Sequence, residues 1–88
     1  MTYTVDLKPA AARDLGKLPK DVRRRVAVRI DALETDPTPS GVEAIQGESD
    51  LFRLRVGDYR VLYRIDRQRR EVLIARIGHR REIYRKAR

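Results

Sequence analysis

The chain has no cysteine and no tryptophan, and its 88 residues include one phenylalanine, one methionine and one histidine. Without cysteine it has no disulfide, no thiolate metal site and no thiol nucleophile. One histidine without a supporting motif makes neither a Ser-His-Asp set nor a histidine-rich metal cluster. There is no P-loop and no glycine-rich dinucleotide motif. The longest apolar run, Val72-Leu73-Ile74-Ala75, falls far short of the roughly 20 residues that cross a bilayer. Met1-Thr2-Tyr3-Thr4-Val5-Asp6 lacks the basic region and apolar run of a signal peptide. The expectation is a soluble, cytoplasmic protein with no membrane partner. A chain this short removes about 60–65% of its unfolded surface from water on folding. Residues 1–88 are therefore expected to form a single domain, with a modest core of Val, Leu and Ile.

What the chain does have is positive charge, and it is unevenly placed. Residues 1–50 carry 8 Lys/Arg against 9 Asp/Glu, a net of −1, while residues 51–88 carry 13 against 4, a net of +9. The whole excess of +8 thus belongs to the C-terminal part. A one-sided field of this kind points to a polyanionic partner, such as a nucleic acid, an anionic membrane or an acidic protein.

The hydrophobic pattern orders the elements. Tyr3, Val5 and Leu7 alternate with Thr4 and Asp6, the period of a half-buried strand. Pro9 suits the first turn of a helix, where its missing N–H has no partner to lose. A short helix over Ala10 to Leu18 is expected to stop at Pro19, which can open a second one. There Val22, Val26, Ile30 and Leu33 form an apolar stripe against Arg23, Arg24, Arg25 and Arg29, a pattern more often a solvated face than a binding one. The short connection predicts an αα-hairpin. Asp36-Pro37-Thr38-Pro39-Ser40-Gly41 is loop, and the connector to Asp50 has no legible pattern. Phe52, Leu54 and Val56 alternate with Arg53 and Arg55, and Tyr59, Val61, Tyr63 and Ile65 alternate beyond Gly57-Asp58. Arg67 to Arg70 is a second turn, and Val72 to Ile77 reads as a buried strand. Gly78-His79-Arg80-Arg81 is expected to leave the sheet, with a short strand or helix over Glu82 to Arg88. The predicted class is α+β in the order β-α-α-β-β-β. An αα-hairpin packs on a mostly antiparallel twisted sheet, followed by a short C-terminal tail.

A two-residue turn at Gly57-Asp58 fixes the register of its hairpin. Val56 then opposes Tyr59, Arg55 opposes Arg60, Leu54 opposes Val61, Arg53 opposes Leu62 and Phe52 opposes Tyr63. One face becomes apolar and the other presents Arg53, Arg55 and Arg60. Like charges directly opposite destabilise a sheet. Stability alone would not place Arg55 against Arg60, so an anion is expected between them, most naturally a phosphate gripped by guanidinium forks. Carboxylates are scattered along helices and turns, which argues against a two-metal nuclease. What fits is metal-free RNA cleavage, in which the substrate's 2′-hydroxyl is the nucleophile. The protein orients the chain, stabilises the phosphorane and moves protons.

Three segments carry a family resemblance: Lys17-Leu18-Pro19-Lys20, Leu51 through Tyr63 with its Gly57-Asp58-Tyr59-Arg60-Val61 centre, and Gly78-His79-Arg80-Arg81-Glu82-Ile83-Tyr84-Arg85. In this order, over nearly the whole chain, they resemble the RelE branch of the RelE/ParE toxins of type II toxin–antitoxin systems. The resemblance implies an endoribonuclease that cuts mRNA in the ribosomal 30S A site, leaving a 2′,3′-cyclic phosphate and a 5′-hydroxyl. It implies no cofactor. It implies a cognate antitoxin that blocks the toxin and largely sets the oligomeric state. Arg60 matches the family arginine that contacts the scissile phosphate. Arg53 and Arg55 stand where well-known members have lysines, the later one a proposed general base. Arg80 matches an arginine proposed to protonate the leaving group, with Arg81 an alternative. Tyr84 matches a tyrosine that orients or stacks on the substrate, and Arg85 adds charge beside it.

The departure at Arg55 bears on mechanism, because an arginine resists giving up its proton far more strongly than a lysine does. His79 is a candidate base, imidazole being the side chain suited to proton transfer near neutral pH, and is equally well read as a surface histidine ending a strand. Glu82 is a further candidate, or else the partner of a nearby arginine. The base stays open. Two other functions also fit the pattern. One is a ParE-like inhibitor of DNA gyrase, and the other is a non-catalytic antitoxin-binding module.

Overall fold

The computed structural model describes residues 2–83. Its elements are β1 (Thr4–Leu7), α1 (Pro9–Gly16), α2 (Lys20–Ala32), β2 (Glu43–Ala44), β3 (Leu51–Val56), β4 (Tyr59–Asp66) and β5 (Glu71–His79). The strands form one five-stranded sheet in the order β1-β5-β4-β3-β2. The β1–β5 pair is parallel and every other pair is antiparallel. The expected α+β class and its element order hold. The unread connector contributes one extra element, the two-residue edge strand β2.

Both helices lie on one face of the sheet, where their apolar stripes meet the inward side chains of the strands. Ala11, Val22, Val26, Ile30 and Leu33 from the helical layer join Leu54, Val56, Val61, Tyr63, Ile65, Val72, Ile74 and Ile77 in a single core. The stripe predicted for α2 is thus the buried one, and Arg23, Arg24 and Arg25 are exposed. Pro9 occupies the first turn of α1, and Pro19 caps α2 rather than entering it.

The β3–β4 hairpin has the register that its two-residue turn demands, from Val56 opposite Tyr59 back to Leu51 opposite Arg64. Gly57 sits at φ +59 and Asp58 is not in the left-handed region, the pattern of a II′ turn with glycine first. Phe52 and Tyr63 stack across the pair at 5.9 Å between ring centroids. Tyr63 is fully buried, and its hydroxyl donates to the Pro37 carbonyl at 2.7 Å, tying the proline loop to the centre of the sheet.

β5 differs from its expected form in two ways. It runs on through Gly78 and His79, which pair with Arg60 and Tyr59, instead of leaving the sheet at Gly78. It also carries a bulge. The register against β4 passes from Ile74 opposite Tyr63 to Arg76 opposite Leu62, so Ala75 is the extra residue. The bulge keeps Ile77 in the core after Val72 and Ile74. By the same shift it turns His79 toward the helices and Gly78 away from them.

Beyond Ile74, β5 outruns β1, whose pairing ends at Leu7. Asp14 of α1 fills that edge. Its carboxylate accepts from the Ile77 N–H at 2.9 Å and from Arg76 Nε and Nη2 at 2.9 and 3.2 Å. Asp14 is 7% exposed, a charge whose burial is tolerated because of these bonds. The same contact raises the Arg76 pKa above its already high ordinary value.

Asp14→Ala is expected to destabilise the fold by about 2–4 kcal/mol, because it strands a backbone donor and a partly buried guanidinium. Asp14→Asn should cost less, since its amide oxygen still accepts from Ile77. Urea midpoints at unchanged m check both, and a wild-type midpoint for Asp14→Ala would remove the clamp from the account.

Burial pushes the Tyr63 hydroxyl up to about 12, with Asp36 adding to the shift. An unfolded tyrosine ionises near 10. Below that pH both states are protonated and stability is complete. As pH climbs from about 10 to about 12, the unfolded chain ionises first, and roughly 2–3 kcal/mol is lost. Tyr63→Phe should cost about 1–2 kcal/mol at pH 7 by orphaning the Pro37 carbonyl. It should also flatten that alkaline loss, as read from denaturation at pH 7 and pH 11.

Candidate functional site: the arginine face of the hairpin

The face of the sheet turned away from the helices carries the charge. Arg55 lies directly opposite Arg60, as the register requires, and Arg53 lies opposite Leu62. Arg55 is exposed and Arg60 half-buried. Arg60 folds back over the turn, where its Nη1 donates to the Gly57 and Tyr59 carbonyls at 2.9 Å each. Those bonds hold the guanidinium in place beside Arg55.

Arg53 has a protein partner. β2 pairs with β3 so that Glu43 opposes Arg53, and Arg53 Nη2 reaches Glu43 Oε2 at 2.8 Å. The hydrogen bond and charge of Arg53 hold the Glu43 carboxyl below its ordinary value, with Arg60 and Arg55 lowering it further. Arg64 continues the basic row and pairs with Glu48 at 3.5 Å and with the Ser49 carbonyl at 3.2 Å.

Arg80 joins this end of the sheet through its backbone. Its N–H donates to the Asp58 carbonyl at 2.8 Å, which pins it beside the hairpin turn with its side chain exposed. Arg81 is also exposed, and its N–H donates to His79 Nδ1 at 3.3 Å. Tyr84 and Arg85 lie outside the described residues.

His79 does not belong to this face. Pairing with Tyr59 puts it on the helix side, where the two rings meet edge to face at 5.5 Å. It lines a groove of about 290 Å³ with Lys17, Leu18, Pro19, Tyr59 and Gly78. The structure therefore gathers Arg53, Arg55, Arg60 and the backbone of Arg80 at one place, and sets His79 behind the sheet from them.

Sequence reasoning missed two residues that organise this region. Asp14 carried a signal, because it falls on the Ala11–Leu15–Leu18 side of α1, where a carboxylate must find partners. Glu43 carried none that a pattern could expose, since a two-residue strand is too short to show alternation.

With this geometry in hand, comparison with known proteins is informative. A family model described as "ParE toxin of type II toxin-antitoxin system, parDE" matches residues 5–84. Toxin RelG of Mycobacterium tuberculosis is 38% identical over 87 residues, spanning 98% of this chain and 100% of that protein. The chain belongs to the RelE/ParE toxin family. Within it, the named relatives place the chain on the RelE branch. Two solved structures share the fold of this RelE-family toxin at 34% identity. RelE in the archaeal RelE–RelB complex from Pyrococcus horikoshii superimposes with a TM-score of 0.81, covering 91% of this chain and 97% of that one. The toxin–antitoxin complex RelBE2 from Mycobacterium tuberculosis gives a TM-score of 0.80, covering 90% and 99%.

The Arg55–Arg60 opposition is a cost that this RelE-family toxin carries in its sheet. Arg55→Thr should relieve it and raise stability by about 0.3–1 kcal/mol, an increase in the urea midpoint. A lower midpoint would mean that Arg55 supports the hairpin instead of straining it.

Proposed function

We propose that this RelE-family toxin is a metal-independent endoribonuclease that cuts mRNA in the ribosomal A site and is silenced by a cognate antitoxin. The observation that carries the reading is the directly opposed Arg55–Arg60 pair, Arg55 exposed and Arg60 half-buried, a stability cost that a bound phosphate repays. The RelE–RelB and RelBE2 complexes of the relatives support an antitoxin partner. Action on mRNA places the toxin in the cytoplasm. Among the described residues, no helix is long and apolar enough to cross a membrane.

In the proposed reaction the RNA 2′-oxygen attacks the adjacent phosphorus and the P–O5′ bond breaks. The products are a 2′,3′-cyclic phosphate and a 5′-hydroxyl. Arg60, already oriented by two carbonyls, holds the scissile phosphate, and Arg55 across the ladder shares the charge that builds on the phosphorane. Arg53 and Arg81 hold flanking phosphates, while Arg80 beside the turn serves the leaving oxygen. Tyr84 stacks on a base and Arg85 adds phosphate contacts. A gyrase-inhibiting toxin on the same fold is the second reading, favoured by the ParE description of the matching family model.

Primer extension on mRNA, either naked or in ribosomes with an empty A site, separates the two. Cuts should appear only on the ribosome, and Arg60→Ala should slow them by about 10²–10³-fold, as when one charge-stabilising donor is removed. A folded chain that cuts neither substrate but inhibits gyrase would replace the first reading with the second.

A further inference from the structure

Behind the sheet, the groove that holds His79 is lined by side chains the proposed cleavage leaves unused. Lys17, Leu18 and Pro19 come to it from the α1–α2 connection, Tyr59 from the start of β4, and Glu82 from the segment after β5. Lys17 and Glu82 carry opposite charges and both are exposed. Among the described residues, no ion pair joins them to each other or holds either elsewhere. Two opposite charges that share a groove without meeting suit a ligand that offers both donors and acceptors.

His79 adds a third polar group. Its Nδ1 accepts from the Arg81 N–H at 3.3 Å, so the neutral ring carries its proton on Nε2 and offers a donor there. Its ring meets that of Tyr59 edge to face at 5.5 Å, and Leu18 and Pro19 add an apolar wall. At about 290 Å³ the groove is at the small end of small-molecule sites, roughly 300–1,000 Å³, and so matches one planar ring system.

We propose that this groove is a nucleobase site and that the base it takes is guanine, from a nucleotide beside the cleaved phosphate. The inference rests on the ribonuclease reading above and deepens it by naming a determinant of sequence choice.

The pattern of donors and acceptors selects the base. A carboxylate only accepts and an ammonium only donates. Guanine presents N1–H and its N2 amino group side by side, which suits the two oxygens of Glu82. Next to them it presents the O6 and N7 acceptors, which suit Lys17 and His79 Nε2. Uracil has one N–H between two carbonyls, adenine has an acceptor at N1, and cytosine offers its amino group alone. The aromatic rings give the base a surface to lie against.

The chain also links the groove to the arginine face. Tyr59 precedes Arg60 on β4, and adjacent residues of a strand point to opposite faces. His79 precedes Arg80, whose backbone is pinned to the hairpin turn. β1 ends opposite Ile74, so no strand covers the last residues of β5 on that side. One RNA strand crossing that edge can lay a phosphate on Arg60 and a neighbouring base behind the sheet.

The test separates base from phosphate. Amide NMR shifts of the full chain are followed as guanosine, adenosine, cytidine or uridine is added, none of which has a phosphate for the arginines. Guanosine is expected to move the amides of Lys17, Leu18, His79 and Glu82, and to bind about 10-fold or more tighter than the other three. Glu82→Gln, which sets a donor where guanine needs an acceptor, should shrink that preference to about threefold or less. Lys17→Met should weaken guanosine binding at an unchanged urea midpoint. On ribosomes carrying mRNAs that differ in the base beside the cut, wild-type cleavage should be about 10–100-fold faster at guanine, and Glu82→Gln should even out the rates. Groove amides that guanosine leaves in place, or that all four nucleosides move alike, would overturn the proposal. Equal cleavage beside all four bases, or a preference that survives Glu82→Gln, would do the same and leave the ribonuclease reading standing. Guanosine bound in the groove of a chain that cuts no mRNA would instead fail the ribonuclease reading, and with it the assignment of the base to a substrate.

Discussion

The structure depends on one buried carboxylate standing in for a missing length of strand. β5 is the strand through which the sheet is joined, pairing with β1 on one side and β4 on the other, yet β1 covers only its first half. From α1, Asp14 supplies the acceptor that β1 no longer offers and adds a two-pronged hold on Arg76. An unpaired N–H there would cost about as much as a lost hydrogen bond. More than that, the end of β5 would lose its hold on the helical layer. Because Gly78 and Arg80 flank the hairpin turn, the position of the arginine face is set from behind by a residue of the first helix.

The sheet thus separates two demands that conflict. Its helix side is packed with Val, Leu, Ile and tyrosine rings. Its open side concentrates guanidinium groups that repel one another. Arg60 is held by the carbonyls of its own turn and Arg53 by Glu43, so the repulsion is partly managed without a ligand. Arg55 faces Arg60 directly across the ladder. Arg60 and Arg53 are thus held in place by the protein itself, and a preorganised group loses less entropy on gripping an anion than a free one does.

Most of the fold was legible in the sequence, because two-residue turns and helical stripes leave strong patterns. The Gly57-Asp58 turn was enough to place Arg55 against Arg60. The remainder was hidden for definite reasons. The bulge at Ala75 breaks the period of two at the point where the sequence reads as an unbroken apolar run. No alternation rule could then say which way His79 faces. β2 exists only because β3 offers it a ladder, so its two residues carry no signal of their own and Glu43 passed as loop. Asp14 was visible on the apolar side of α1, but its partners lie more than sixty residues away.

The parallel pairing of β1 with β5 also decides the order in which the molecule can assemble. Thr4 meets Glu71 and Leu7 meets Ile74, so the first strand has no partner until the last strand exists. The β3–β4–β5 meander needs only short turns and closes early, whereas joining it to β1 carries the entropy of a loop of more than sixty residues. During synthesis the αα-hairpin emerges with its apolar stripe uncovered and waits for the meander. The arginine face, carried by β3 and β4, is therefore set early, and the seam between β1 and β5 closes last. A chain cut short before Glu71 could still close its β3–β4 hairpin, but its first strand would have no neighbour to pair with.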